Sequence, residues 1–267
     1  MTTTSGYASN LDETLYPPDL ADSYHRDGYV IVPRVFTATE VQRLADEADS
    51  VIASEASLTD VNNLRARFQP HVQTGELLFD VLDPFADLSP VAASVSRDRR
   101  ILDVVETLYG ERAQLFKDKL ILKPPGACGA SCHQDWISWP NFPNSFLTVV
   151  LAIDPFRPDN GGTQVYPGQH RRGYLSLSDG RHHSLDRSAI NGQPLLLELA
   201  PGDIAIFSAF TPHFSDPNAS DRPRRGYFLS YNAHSDGGDQ YAAHYREFHQ
   251  WIRRRTPSQD RRKLFFR

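Results

Sequence analysis

Apolar and polar positions change period along this chain, and the changes divide it into segments. Asp19 to Arg26 carries a short helical pattern, and the run from Gly28 to Pro33 (Tyr, Val, Ile and Val between them) is β-rich and closed by proline. A second helix begins near Thr37 or Thr39. Val41, Leu44, Ala48 and Val51 recur there at three- and four-residue steps, which puts Glu40 and Glu47 on the exposed side. Prolines punctuate Pro84 to Ser96, and a third helix follows over Arg99 to Tyr109, ended by Gly110.

From Ala113 to Ala233 the pattern becomes short β-branched and aromatic runs separated by Pro, Gly and Asn. The runs are Gln114–Leu122, Phe146–Ile153, Gly162–Tyr166, Leu195–Glu198, Asp203–Phe207 and Gly226–Tyr231. Helical spacing returns over residues 239–256, with Tyr241, Tyr245, Phe248 and Ile252 on one side. The expected architecture is mainly β with flanking helices. No repeat or linker breaks the chain, so residues 1–267 are expected to form one domain. Residues 1–18 are expected to be loose. The segment 171–198, long and poor in apolar residues, is a candidate lid.

Composition narrows the function classes. The chain has 267 residues, 40% of them hydrophobic, with 28 basic against 33 acidic side chains and a net charge of −5. That fraction supports a packed core, and mild acidity disfavours nucleic acid as a partner. No apolar run is long enough to span a bilayer and no basic-then-apolar leader is present, so a cytoplasmic location without membrane association is expected. Two cysteines cannot make a disulfide framework. Cys128 and Cys132 beside His133 invite a zinc reading, but no second Cys/His pair completes four ligands. Oligomeric state is not written in the sequence.

Two residues apart on a strand, a histidine and an aspartate project to the same side and offer a metal one nitrogen and one oxygen. With 10 histidines and 24 aspartates in 267 positions, about one His-x-Asp is expected by chance; there are three, at His25/Asp27, His133/Asp135 and His234/Asp236. The first sits at a helix end and the third enters a Gly-Gly turn. His133/Asp135 lies in the β-rich half just before Trp136-Ile-Ser-Trp139, and His213 follows the apolar run from Asp203 to Ser208. Two imidazoles and a carboxylate on one face of an octahedral iron leave positions for a bidentate cosubstrate and dioxygen. A cation must then hold the cosubstrate's far carboxylate. Arg224, at the entrance to the last strand and with Gly226 leaving room beside it, is the candidate; Arg222 and Arg225 are rivals.

The ordered set Lys123-Pro-Pro-Gly126, His133-Gln-Asp135, Asn160-Gly-Gly162, Pro167-Gly-Gln-His170, Pro201-Gly-Asp203 and His213-x-Ser215 with Asn218 and Arg224 resembles the phytanoyl-CoA dioxygenase family of iron(II)/2-oxoglutarate oxygenases. The resemblance covers about residues 20 to 235. It implies a double-stranded β-helix (jelly roll, cupin-like) with helices on one sheet, Fe(II) held by His133, Asp135 and His213, and 2-oxoglutarate anchored by Arg224 with Ser215 touching it. It also implies the chemistry: O2 and 2-oxoglutarate are consumed, succinate and CO2 are released, and a C–H bond of a small-molecule substrate is hydroxylated. Asp135 fills the position that related halogenases leave to chloride.

Other side chains have less defined jobs. Lys117, Lys119 and Lys123 share one side of a strand, with Phe116, Asp118, Leu120 and Leu122 on the side expected beneath helices. If the lysine side faces the barrel mouth, Lys117 is a candidate for 2-oxoglutarate, and Lys119 and Lys123 for an anionic substrate such as a carboxylate or phosphonate. A solvated strand face is the alternative. Trp136 and Trp139 are candidates for the substrate pocket wall. Competing functions are a non-catalytic jelly-roll protein that binds metal or ligand, a metal-dependent hydrolase, and desaturation or cyclisation by the same oxidant.

Overall fold

The computed structural model describes residues 16, 18–54, 65–136, 142–175 and 184–255. Helix α1 (Leu20–Asp27) leads through Gly28 into β1 (Tyr29–Val32), and α2 (Ala38–Ala53) follows. Thr37 closes a capping box with Glu40 at the start of α2. Next come β2 (Ala66–Pro70), β3 (Leu77–Leu82), α3 (Pro90–Val95) and α4 (Arg99–Tyr109), the last capped by Asp98 and ended by Gly110. The remaining strands are β4 (Ala113–Lys123), β5 (Ala130–His133), β6 (Leu147–Ala152), β7 (Thr163–Val165), β8 (Leu195–Leu196), β9 (Ile204–Ser208), β10 (His213–Ser215) and β11 (Arg224–Ala233). Helix α5 (Tyr241–Arg255) ends the described chain.

The strands form two antiparallel sheets. One has seven strands in the order β1-β9-β6-β11-β4-β3-β2, and the other has four, β5-β10-β7-β8. Alternation on the central strands creates two cores. Val149 and Leu151 of β6, Ile204 and Ile206 of β9, and Tyr227, Leu229 and Tyr231 of β11 pack with the helices through Leu20, Leu44, Ile101 and Val104. Val150, Ala205 and Phe228 point the other way, where Val165, Leu197 and Phe156 meet them. The result is the expected double-stranded β-helix with helices on one sheet, and the space between its sheets is where polar side chains converge.

Several elements depart from the expectation. Glu40 is not simply solvated: it pairs with Arg100 (2.7 Å), while Glu47 accepts from Ser89 Oγ (2.8 Å). Tyr16, within the stretch expected to be loose, is buried and donates to the Arg100 carbonyl (3.1 Å); residues 1–15 and 17 lie outside the described residues. Strands β2, β3, β5 and β10 were not anticipated. On β4, Ser230 of β11 faces Lys117 and Tyr231 faces Leu115, so Phe116 is an inserted residue. That bulge takes Phe116 out of the core beneath α1, α2 and α4, into a cluster with Phe146 and Ala209 and against His244 of α5.

Helix α5 is fastened to β4 through buried polar groups. The Asp118 carboxylate accepts from the amides of Phe85 (2.9 Å) and Ala86 (2.7 Å) and from the Tyr241 hydroxyl (2.6 Å). Burial raises its pKa, against these donors. Tyr245 Oη donates to Asp83 Oδ1 (3.0 Å) or the Asp118 carbonyl (2.8 Å) and accepts from the Asp118 amide (3.1 Å). Replacing Tyr245 by Phe leaves these buried groups short of a partner, so stability is expected to fall by about 1–3 kcal/mol, read as a lower urea midpoint.

Candidate active site

His133 ends β5 and His213 begins β10, and the two are directly opposite in the antiparallel ladder. Their rings lie 4.2 Å apart, and the Nε2 atom of each is 3.7 Å from Asp135 Oδ1. One potential ligand atom from each of the three residues lies within 4.8 Å of the others. Backbone carbonyls set the imidazoles: His133 Nδ1 donates to Ser131 O (2.7 Å) and His213 Nδ1 to Thr211 O (2.9 Å). With the proton held on Nδ1, Nε2 becomes the donor atom for a metal. Thr148 Oγ1 donates to Asp135 Oδ2 (2.7 Å), which fixes the carboxylate with Oδ1 toward the histidines.

The residue between the first two ligands works as a fastener. Gln134 is buried; its amide donates to Phe210 O (2.6 Å) and Gly173 O (2.8 Å) and accepts from Leu175 N (2.7 Å). Burial, reinforced by the neighbouring His213, lowers the His133 pKa to about 4, so the ring is neutral near pH 7. Burial alone would raise Asp135; His213, Lys119 and His133, with the Thr148 hydrogen bond, outweigh it and hold the carboxylate below its ordinary range. A neutral His133 imidazole and an ionised Asp135 carboxylate are the states a divalent metal requires of those two groups.

The cluster opens into a cavity of about 300 Å³ between the sheets, lined among others by Arg67, Asp80, Lys119, Ile121, Lys123, Phe207, Phe214, Ser215, Arg224 and Phe228. Arg224, 2% exposed, donates Nη2 to Gly161 O (3.0 Å) and stacks over the Phe156 ring at 4.3 Å, while its Nε and Nη1 are buried without a hydrogen-bond partner among the described residues. Burial lowers its pKa to about 10, which still leaves it a cation. Its rivals fall elsewhere. Arg225 points to the helix side and is held by Asp154 (2.8 Å) and Asp49 (2.8 Å), and Arg222 is exposed. Gly226 gives room to two aromatic rings, where room for the arginine was expected: a Cβ there would come within 2.8 Å of the Phe156 ring and 3.0 Å of Phe228.

Lys123 is buried beside Arg224. It donates to Ser215 Oγ (2.8 Å), to the Asp216 carbonyl and weakly to Gly161 O (3.4 Å). Gly161 has φ +68, and a side chain there would strike the Asp216 carbonyl and the Lys123 amine. Asn218 ties this corner together by donating to the Lys123 and Arg222 carbonyls (2.8 Å each). Lys123, expected on the substrate side, therefore lies with Arg224 and Ser215. Lys119 reaches the cavity, with its ammonium 5.5 Å from the Phe228 ring centre. Lys117 does not line it: its ammonium is 2.9 Å from Asp83 Oδ2 and sits over Phe248.

Trp136 packs behind the ligands against Phe210, Tyr174 and Phe142, outside the cavity lining. Trp139 lies outside the described residues, as do residues 176–183 of the candidate lid. The described ends of that segment pack on β5: Ser184 pairs with His133, and Leu185 N donates to Cys132 O (2.7 Å). Sequence reasoning missed Thr148, Arg67, Gln69 and Asp80. The alternation of Arg67, Phe68 and Gln69, followed by Gly75 and the apolar Leu77–Leu82, was the available signal for the hairpin that carries the last three.

The donor set fits Fe(II), since two imidazoles and one carboxylate on adjacent strands can occupy one face of its coordination sphere. The open Nη1 of buried Arg224, beside the second N–H of Nη2, fits the distal carboxylate of 2-oxoglutarate. Among the described residues, no helix is long and apolar enough to cross a membrane.

Comparisons with known proteins agree with this geometry. The 2-aminoethylphosphonate dioxygenase of uncultured bacterium HF130_AEPn_1 is 31% identical over 172 residues, 64% of this chain and 65% of that relative. The chain thus spans just under two thirds of that relative's length. The methylphosphonate hydroxylase of Gimesia maris is 28% identical over 235 residues, 86% of each chain. Among solved structures, EctD from S. alaskensis with 2-oxoglutarate and 5-hydroxyectoine superposes with a TM-score of 0.70 at 24% identity, covering 85% of this chain and 79% of that one, a likeness of fold. The model of the phytanoyl-CoA dioxygenase (PhyH) family matches residues 24–226, from the first helix through the strand that carries Arg224. With most of its length matched in this way, the chain belongs to the phytanoyl-CoA dioxygenase family of iron(II)/2-oxoglutarate oxygenases.

Proposed function

We propose that this protein hydroxylates a C–H bond of a small anionic molecule, of which phosphonates are the favoured class, with conversion of 2-oxoglutarate to succinate and CO2. The observation that carries the reading is the presence, in one cavity, of His133, Asp135 and His213 together with Arg224, whose buried guanidinium keeps two nitrogens without partners. An unsatisfied buried cation costs stability, and a metal-binding protein without catalysis has no use for it. A hydrolase using the same metal would not need a clamp for a dicarboxylate either. The substrate class is supported by the relatives, named for methylphosphonate and 2-aminoethylphosphonate, and by the lysine that faces the cavity. A volume of about 300 Å³ is at the small end for ligand pockets and suits a small molecule.

Fe(II) and 2-oxoglutarate, when bound, supply the oxidising power, because decarboxylation of the keto acid provides electrons that activate dioxygen for oxygen transfer to carbon. The chain's own residues do the positioning. His133, Asp135 and His213 hold the metal, and Thr148 keeps the Asp135 carboxylate from rotating. Arg224 grips the distal carboxylate in two-pronged fashion, with Lys123 and Ser215 beside it. Ile121, Phe207, Phe214 and Phe228 surround the reacting region with apolar surface and exclude water from it. Trp136 acts as packing behind the ligands.

Anaerobic addition of Fe(II) and 2-oxoglutarate is expected to produce a weak visible charge-transfer absorption, and a hydrolase or inert binder would show none. Succinate release should rise with methylphosphonate or 2-aminoethylphosphonate, giving a product heavier by one oxygen; loss of two hydrogens would instead assign desaturation.

Replacing Arg224 by Ala is expected to raise the 2-oxoglutarate requirement by about 30-fold or more, with Fe(II) affinity largely kept. Unchanged cosubstrate dependence would remove Arg224 from the clamp.

Burial, with help from Arg224, lowers the Lys123 pKa to about 7, so without a bound anion Lys123 loses its charge as pH rises through that value. Binding a dianion restores the charge by taking up a proton. The 2-oxoglutarate affinity should therefore weaken above pH 7, by at most about tenfold per unit. Titration calorimetry in buffers of different ionisation enthalpy reads the proton uptake, and Lys123→Met should flatten the profile.

A further inference from the structure

Three cations gather around one buried carboxylate, Asp83, behind the cavity wall. Lys117 Nζ lies 2.9 Å from Asp83 Oδ2, and Arg67 Nη2 donates to the same oxygen at 3.0 Å. Lys119 stands two residues from Lys117 on the same side of β4, past the bulge, and interacts electrostatically with Asp83, Arg67 and Asp135. Asp83 itself is 1% exposed and is held from behind by the Tyr245 hydroxyl at 3.0 Å. Asp83 bonds Lys117 and Arg67, which leaves Lys119 and the Arg67 Nε over, with Asp135 and Asp80 acting on them only electrostatically.

The surplus faces the cavity. Arg67 and Lys119 line it, whereas Lys117 does not. Arg67 Nε is buried with no partner, and Lys119 makes no hydrogen bond or ion pair among the described residues, its ammonium meeting only the face of Phe228. Burial drives Lys119 toward its neutral form, the direction expected of a cation that lacks an adequate counter-charge. The other cationic end of the cavity is distinct. Lys123 and Arg224 are paired across β4 and β11, and Asp80 interacts electrostatically with both, as it does with Arg67. Lys119 and Lys123, four residues apart on one strand face, are separated by about 13 Å along it. The cavity therefore has two anion-seeking ends, and the cosubstrate clamp accounts for one of them.

We propose that Arg67 and Lys119 form the subsite for the anionic headgroup of the substrate, a tetrahedral phosphonate-type oxyanion, with Lys117, Asp83 and Tyr245 holding the pair in place. This deepens the oxygenase reading above and rests on it. Two cations with N–H groups left unbonded among the described residues match a doubly charged phosphonate better than a singly charged carboxylate. The Nε–H of Arg67 and the three N–H bonds of Lys119 can reach different oxygens of a tetrahedral group.

The test is calorimetric titration of methylphosphonate, the smallest carrier of the headgroup, into protein preloaded anaerobically with Fe(II) and 2-oxoglutarate. The visible absorption of the metal and cosubstrate is followed in the same samples. Methylphosphonate is expected to bind wild type more tightly than acetate does. Lys119→Met and Arg67→Met are each expected to weaken it by about tenfold or more, while 2-oxoglutarate affinity read from the absorption stays within about twofold. Lys119→Arg should restore most of the loss. Failure of methylphosphonate to bind wild type that shows the absorption would overturn the subsite and leave the oxygenase reading standing. Unchanged methylphosphonate affinity in both Met variants, or loss of 2-oxoglutarate affinity in its place, would overturn it too. No absorption in wild type would overturn the oxygenase reading and the subsite with it.

Discussion

The pairing of β5 with β10 is the constraint on which the active site depends. It sets His133 opposite His213, and the chain between them must fold as the rest of the barrel for that register to exist. Each strand is short, so the ladder alone is weak. Its position is reinforced on both flanks: β7 pairs with the other edge of β10, and Gln134 fastens the turn after β5 with three amide hydrogen bonds. The ligand geometry is thus a property of backbone pairing, with side-chain rotamers set afterwards by the Ser131 and Thr211 carbonyls. Preorganisation of this kind is what a metal site needs, because ligands that must be gathered from a mobile state lose affinity to entropy.

A second level of organisation is electrostatic. The cavity carries positive charge at both ends of one β4 face and the His-Asp-His cluster between the sheets. Two carbonyls and a hydroxyl hold Lys123, and one carbonyl and an aromatic face hold Arg224, so neither is neutralised by a dedicated carboxylate. Asp80 interacts with them from β3 but spends its own hydrogen bond on Gln69. The interior is held short of negative charge, the condition in which an incoming dianion is favoured over water.

How much of this was legible in the sequence depended on how local each signal was. Helix α4 could be read with both ends because Asp98, Gly110 and the apolar steps between them are all within one segment. The long central strands were readable as well, since β6 is buried on both faces and shows up as an apolar run broken by Thr148 alone. Strands β5 and β10 were not, because four and three residues are too few for a period to emerge. The β2–β3 hairpin was hidden for another reason: Arg67 and Gln69 face the cavity, so polar residues stand where a core strand would be apolar. The parity of β4 failed at Phe116 because a bulge leaves no mark in residue type. The choice among Arg222, Arg224 and Arg225 needed Asp154, 71 residues away in the chain, which occupies Arg225. His133, Asp135 and His213 could be named as candidate ligands through family motifs, while Thr148 and the hairpin residues carry no motif at all.

The hydroxyl of Tyr245 bonds the same carboxylate that Arg67 and Lys117 share, so the last helix reaches the inner wall of the cavity through a single intermediary. A purification handle fused behind that helix, or a partner protein gripping it, would pull on the wall without approaching the metal ligands. Paralogues could diverge in what they accept by repacking this distant helix, leaving the histidine ladder untouched.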